Sequence, residues 1–194
     1  ESSAASDVYK RQDVGLWGGK PKFYECLFEN EFVPTIEHLE SLVNENTVAI
    51  LYNFPSNPTG ATITVEQRDE LLAFAQRHDL WIITDEVYDR IVFDSDHVSF
   101  VGCDDERVIL INSFSKTYAM TGWRIGYILS ANKEAMSQMI KVQYYITACS
   151  NDAMQYAVLT AINEADDYPD EMCAEFKARR DLICTRLNAM PGVE

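Results

Sequence analysis

Leu80-Trp-Ile-Ile-Thr-Asp-Glu86 is an apolar run of strand length that closes on two adjacent carboxylates. A short continuous apolar segment bounded by polar residues reads as a buried strand. The same pattern recurs on both sides of it. Val48-Ala-Ile-Leu-Tyr52 precedes the turn-rich Asn53–Gly60, Val108-Ile-Leu-Ile-Asn112 ends at Ser113, and Ile125-Gly-Tyr-Ile-Leu129 is a fourth run. Elsewhere the spacing is helical. Ile36, Leu39 and Leu42 recur within Thr35–Val43, and a helix from a Thr64 cap to about His78 turns Leu71, Leu72, Phe74 and Ala75 inward. Gln67 stands where the capping-box partner of Thr64 belongs. Lys133–Ala148, Asp152–Glu164 and Asp170–Ala189 read as three successive helices. Continuous apolar runs, rather than alternation, predict strands covered on both faces, and helices between several of them predict an α/β architecture. Ligands in open α/β sheets bind outside the carboxyl ends of the strands, which is where the polar residues of interest fall.

Composition bounds the function. With 194 residues, 47% hydrophobic and 24% charged, the chain suits one soluble globular domain. Thirty-one acidic against 16 basic side chains leave a net charge of −15, which argues against a nucleic-acid-binding face. This balance suits an acidic cytoplasmic protein, or an acid-rich surface adapted to salt. The five cysteines, Cys26, Cys103, Cys149, Cys173 and Cys184, form no C-x-x-C pair and are expected to be reduced thiols. The scattered His38, His78 and His97 offer no metal-binding spacing. No apolar run approaches the roughly 20 residues that span a bilayer, so no membrane role is expected.

Taken singly, the polar motifs are weak. Asn57-Pro-Thr-Gly60 is compatible with a plain turn, and Lys116 with a surface lysine. Leu80–Glu86 could mimic a nucleotide-binding strand, but the one Gly-Lys pair, Gly19-Lys20, is followed by Pro21 and lacks the glycine a phosphate loop needs. Their order is specific. Asn53-Phe-Pro-Ser-Asn-Pro-Thr-Gly60, Thr84-Asp-Glu-Val-Tyr88 and Ser113-Phe-Ser-Lys-Thr-Tyr-Ala-Met-Thr-Gly-Trp-Arg-Ile-Gly126 each follow an apolar run. From Asp13 onward this resembles the class I/II aminotransferases of pyridoxal-5′-phosphate (PLP) fold type I, and the last segment resembles their lysine signature.

The resemblance implies an α/β fold, a mainly parallel sheet with flanking helices forming the large domain, and transamination between an amino acid and a 2-oxo acid. Aspartate or an aromatic amino acid is the implied donor. PLP presents an aldehyde, a pyridine nitrogen, a phenolic oxygen and a phosphate, each needing its own partner. By resemblance, Lys116 forms the Schiff base with the aldehyde and later moves the substrate Cα proton. Asp85 faces the pyridine nitrogen, and Tyr88 and Asn57 donate to the phenolic oxygen. Ser113 and Arg124 bind the phosphate, with Ser115 as a neighbour of that site. Asn57–Pro58 is expected to be cis. Tyr118, Met120 and Trp123 read as packing, Glu86 as local structural support, and Gly122 and Gly126 as points of unusual backbone or close approach.

The ends carry expectations of their own. Asp7–Gln12, read DVYKRQ, matches one frame of a transposon-end sequencing adapter, so residues 1–12 are expected to be non-native. Residues 13–168 are expected to form a partial PLP-binding domain, and residues 169–194 a long helix leading toward a small C-terminal domain. The family's first phosphate-binding turn, its ring-stacking aromatic and its carboxylate-binding arginine find no match, so the chain reads as truncated at both ends and incapable of amino transfer by itself. A homodimeric parent enzyme is implied. The alternatives are a carbon–sulfur lyase or aminocyclopropane-carboxylate synthase of the same fold type, and an aminotransferase-like effector domain of a transcription regulator.

Overall fold

The computed structural model describes residues 5–103 and 105–193, with side chains from Lys10 onward. Its centre is a sheet of β1 Ala49–Asn53, β2 Trp81–Asp85, β3 Val108–Ser113 and β4 Gly126–Leu129, in that spatial order. The first three strands are parallel, and β4 is antiparallel to β3. Helix α1 spans Ala5–Leu16, crossing the boundary expected after Gln12, and α2 spans Ile36–Leu42 before β1. Helix α3, Val65–Arg77, connects β1 to β2. The single turn α4, Phe114–Thr117, follows β3, and α5 Lys133–Thr147, α6 Asp152–Glu164 and α7 Tyr168–Asn188 follow β4. This is the α/β arrangement that the apolar runs predict, with the mainly parallel sheet that the resemblance implies.

Helix α3 forms where its cap and its apolar face agree. Thr64 Oγ1 accepts from Gln67 N at 3.2 Å while Gln67 Oε1 accepts from Thr64 N at 2.9 Å, closing both bonds of the capping box. The helix then buries Leu71, Phe74 and Ala75 against Ile50 and Tyr52 of β1, Ile82 of β2 and Val108 of β3. A second, smaller cluster joins Met120 and Ile125, between β3 and β4, to Val158 of α6, with Phe114 and Tyr118 packed against it. Met120 and Tyr118 are therefore packing residues as read. Trp123 is not, because it remains 44% exposed.

The sheet departs from the expectation of strands covered on both faces. In β1 and β2 the buried residues alternate with partly exposed ones, and all four residues of β4 are exposed. The cause is the uneven distribution of covering elements. The larger core gathers on the face carrying Ile50, Tyr52, Ile82, Val108 and Leu110, while β4 pairs only with β3. Gly126 does mark a close approach, since a Cβ there would stand 2.6 Å from Asn112 O. Gly122 does not: a Cβ would meet nothing within 4 Å, and the left-handed backbone falls instead on Ala119 and Arg124, both at φ 54°. Helix α7 starts two residues earlier than its spacing suggested, with Pro169 in its first turn, a position where the missing N–H costs nothing.

Residues 86–107 join β2 to β3 without any helix or strand among the described residues, and Glu86 pins this long connection. Its carboxylate is buried and accepts four hydrogen bonds. Thr84 Oγ1 and Phe100 N donate to Oε1 at 3.2 and 2.9 Å, and His97 Nε2 and Ser99 Oγ donate to Oε2 at 2.8 and 2.6 Å. Burial pushes the carboxyl up, but the donors His97, Phe100 N and Ser99 outweigh it and hold Glu86 below the usual glutamate range. A lowered folded value means that this contribution is complete above the ordinary glutamate value of about 4.3 and is lost as pH falls through the folded value.

Two measurements follow. Urea unfolding of Glu86→Ala at neutral pH is expected to show a loss of about 2–3 kcal/mol, because buried donors lose their acceptor. The difference from wild type should narrow on acidification, and a pH-independent difference would contradict the assignment. Thr64→Ala is expected to cost about 1 kcal/mol in the same assay.

Candidate active site

The site is assembled at the carboxyl edge of the parallel strands. Register pairs Asn53 at the end of β1 with Asp85 at the end of β2, and Asp85 with Ile111 of β3. Alternation along a strand sends successive side chains to opposite faces. In β2 this buries Ile82 and Thr84 and turns Asp85 to the less covered face, while Glu86 continues the buried series. Two adjacent carboxylates thereby receive different surroundings.

Asp85 is held at three points. Its carbonyl accepts from Asn53 Nδ2 at 2.9 Å, its Oδ1 accepts from Val87 N at 3.3 Å, and its Oδ2 lies 2.6 Å from Lys10 Nζ. The turn after it carries Tyr88, with Asp89 N donating to Glu86 O at 3.0 Å and Ile91 N to Tyr88 O at 2.8 Å. Asn57 reaches this turn from the loop after β1, donating Nδ2 to the Tyr88 hydroxyl at 3.4 Å. That loop folds back on itself through Ser56 N to Ala61 O at 2.9 Å and Gly60 N to Ser56 O at 2.8 Å. Gly60 supplies the left-handed backbone that such a return requires, at φ 74°. The Asn57–Pro58 bond is cis as expected, and Phe54–Pro55 is also cis.

Lys116 lies on α4, half-buried, with Nζ 5.6 Å from the centroid of the Tyr88 ring. This is cation–π range. Among the described residues its ammonium has no carboxylate partner. Ser113 caps α4 by accepting from Ser115 N at 3.1 Å, and its hydroxyl also lies 2.8 Å from Ser115 Oγ and 3.2 Å from Ile125 O. The last contact draws the Ile125 backbone, and with it the neighbouring Arg124, toward Ser113. Arg124 is exposed, donates NH1 to Thr121 O at 3.0 Å and, among the described residues, pairs with no carboxylate.

The sequence-predicted residues thus form two groups. Lys116 and Asn57 each reach Tyr88, one over its ring and one at its hydroxyl, and Ser113 touches Ser115 and the Ile125 carbonyl next to Arg124. Asp85 is joined to the first group through the Tyr88 turn, while its own carboxylate meets Lys10. Four residues that the motifs did not single out support this arrangement: Asn53, Asp89, Asn112 and Thr117. Asn53 and Asn112 carried a signal in their places at strand ends. Asp89 and Thr117 had none, since their roles depend on contacts across the sheet edge. Among the described residues no cluster of His, Cys, Asp and Glu could hold a metal ion, and no helix is long and apolar enough to cross a membrane.

Comparison with known proteins gives this site its family. The profile of aminotransferase class I and II matches residues 10–194. Aromatic-amino-acid aminotransferase 2 of Thermococcus litoralis is 40% identical over 182 residues, covering 91% of this chain and 46% of that protein. Aspartate aminotransferase of Pyrococcus abyssi is 39% identical, with the same coverage of 91% and 46%. Among solved structures, the aromatic aminotransferase of Pyrococcus horikoshii superposes with a TM-score of 0.87 at 39% identity, over 92% of this chain and 49% of that one. The aspartate aminotransferase of Thermus thermophilus, solved with maleate, gives 0.88 at 33% identity, over 94% and 48%. The chain spans about half the length of the curated relatives it matches. By profile, relatives and fold alike, it belongs to the class I and II aminotransferase family.

Proposed function

We propose that the full-length enzyme, of whose relatives this chain spans about half, transfers an amino group between an amino acid and a 2-oxo acid, with Lys116 as the residue that holds PLP. The observation that carries this is the convergence of half-buried Lys116, which has no carboxylate partner among the described residues, on the Tyr88–Asn57 pair at the carboxyl edge of the sheet. The donor set fits the cofactor. Asp85 Oδ2 already receives a cationic nitrogen, that of Lys10, as a carboxylate facing a protonated pyridine would. An amide and a phenol stand together for the phenolic oxygen, and the paired hydroxyls of Ser113 and Ser115, with the Arg124 guanidinium from the segment before β4, suit a phosphate.

When bound, PLP supplies an electron sink for the charge left at the substrate Cα as its proton departs. The protein's share is binding, orientation and proton movement. Lys116 Nζ would hold the cofactor at its aldehyde and, as a free amine, would carry the proton taken from the substrate Cα to the former aldehyde carbon. Asp85 favours the protonated ring nitrogen by its charge. Tyr88 and Asn57 orient and polarise the phenolic oxygen, while Ser113, Ser115 and Arg124 anchor the phosphate. The names of the relatives support aspartate or an aromatic amino acid as donor, and they favour transamination over a lyase reaction. A homodimer is part of this reading. It is supported by the exposed Tyr144, Tyr145 and Ile146 at the end of α5 and Tyr156 and Leu159 on α6, an apolar surface of the kind that marks association. The thiols of Cys103, Cys149, Cys173 and Cys184, none of them in a disulfide among the described residues, support a cytoplasmic setting.

The test is borohydride reduction in the presence of PLP, followed by peptide mass mapping. One cofactor is expected on Lys116, and none in Lys116→Ala. Modification centred on Lys10, or spread over all lysines and unchanged in Lys116→Ala, would overturn the assignment.

A further inference from the structure

We propose that Asp89 is a positioning residue that sets Lys116 against Tyr88, so that one carboxylate holds the two sides of the cofactor cradle in register. The inference rests on the reading of Lys116 as the PLP-bearing lysine.

Asp89 follows Tyr88 in the turn after β2, and each of its oxygens reaches a different element. Oδ2 accepts from Asn112 Nδ2 at 2.9 Å, near the end of β3. Oδ1 accepts from Thr117 Oγ1 at 3.2 Å, on α4, and from Arg90 N at 2.8 Å within its own turn. Asn112 is 5% exposed and Thr117 9%, so both partners lie where an unmatched polar group is costly. Asn112 passes the constraint on, its Oδ1 accepting from Ser113 N at 2.6 Å. Asp89 is thus one residue from Tyr88, Thr117 is one residue from Lys116, and Asn112 is one residue from Ser113.

The partners are also informative by type. The neighbouring Arg90 guanidinium is directed to Asp166 and Asp170, and among the described residues no ion pair engages Asp89. Its side-chain donors are a neutral amide and a hydroxyl. A carboxylate bonded to neutral donors gains directional, charge-assisted bonds without a neutralising cation, which suits alignment. Alignment is needed because α4 is only four residues long. One helical turn cannot hold itself, since nucleation fixes several residues for a single internal bond. The register of Lys116 therefore depends on external ties. These include the Ser113 cap, the packing of Phe114 under Met120 and Ile125, the Thr121 Oγ1 bond to Ser115 O, and the Thr117–Asp89 bond. Among these the Thr117–Asp89 bond reaches from α4 to the turn that carries Tyr88.

The experiment compares Thr117→Val, Thr117→Ser and Asp89→Asn with wild type in the PLP-loaded protein. It reads PLP affinity and the visible circular dichroism of the bound cofactor, together with the melting temperature of the cofactor-free protein. Thr117→Val and Asp89→Asn are each expected to weaken PLP binding by about 10-fold, the scale of one hydrogen bond to a charged group, and to reduce the visible dichroism. Thr117→Ser, which keeps the hydroxyl, is expected to stay within about 2-fold of wild type. The inference is overturned if Thr117→Val keeps wild-type affinity and dichroism. It is equally overturned if Thr117→Ser falls as far as Thr117→Val, or if only the melting temperature moves. Lys116→Ala separates the underlying reading: wild-type cofactor absorbance in that variant would refute the lysine assignment itself, whatever Thr117 and Asp89 do.

Discussion

Parallel pairing of β1, β2 and β3 is the constraint on which the rest of the site depends. In a parallel ladder all the carboxyl ends lie on one edge, so the segments that leave the strands start as neighbours despite their separation in sequence. Asn57, Tyr88 and Lys116 lie in three such segments, and the register that aligns Asn53 with Asp85 and Asp85 with Ile111 brings them together. The antiparallel β4 adds a different element, because its return past the end of β3 places Arg124 and Ile125 beside Ser113. The close approach of Gly126 to Asn112 O is what this return requires.

Three carboxylates within five residues, Asp85, Glu86 and Asp89, show how environment assigns roles to one chemical group. Asp85 faces outward from the strand end and meets a cation. Glu86 turns into the protein and is bonded by His97, Ser99 and the Phe100 N–H, which hold the 97–100 segment. Asp89 stands at the edge and spans two other elements. A buried carboxylate is tolerable only when its lone pairs are filled, and Glu86 meets that condition with four donors. The site is thus backed by a polar frame, whose geometry is more directional than apolar packing alone would be.

Much of this was legible along the chain. The strands lie within a residue of the apolar runs at Val48–Tyr52, Leu80–Thr84, Val108–Asn112 and Ile125–Leu129, and the capping box of α3 forms as Thr64 and Gln67 imply. Apolar periodicity reports burial averaged over an element, and that average is set locally. What it could not report is which face is covered. Leu51, Ile83 and the whole of β4 are apolar yet only partly buried or exposed, because cover comes from elements distant in sequence. The four-residue α4 carries too few residues to show a helical period, and Trp123, apolar by type, stays near the surface.

The sequence by itself determined the α/β order, the strand ends at which polar residues collect, and the motif order that marks the family. These depend on local pattern and on which residue types stand next to one another. Only the tertiary structure decided that Lys116 faces Tyr88, that Asn57 reaches the same hydroxyl, that Glu86 is buried while Asp85 is not, and that Asp89 bridges to Asn112 and Thr117. The physical reason is that these are contacts between side chains 23 to 31 positions apart, or choices between two faces of one strand. Pairing register and the placement of covering helices fix them, and neither is written in any single segment.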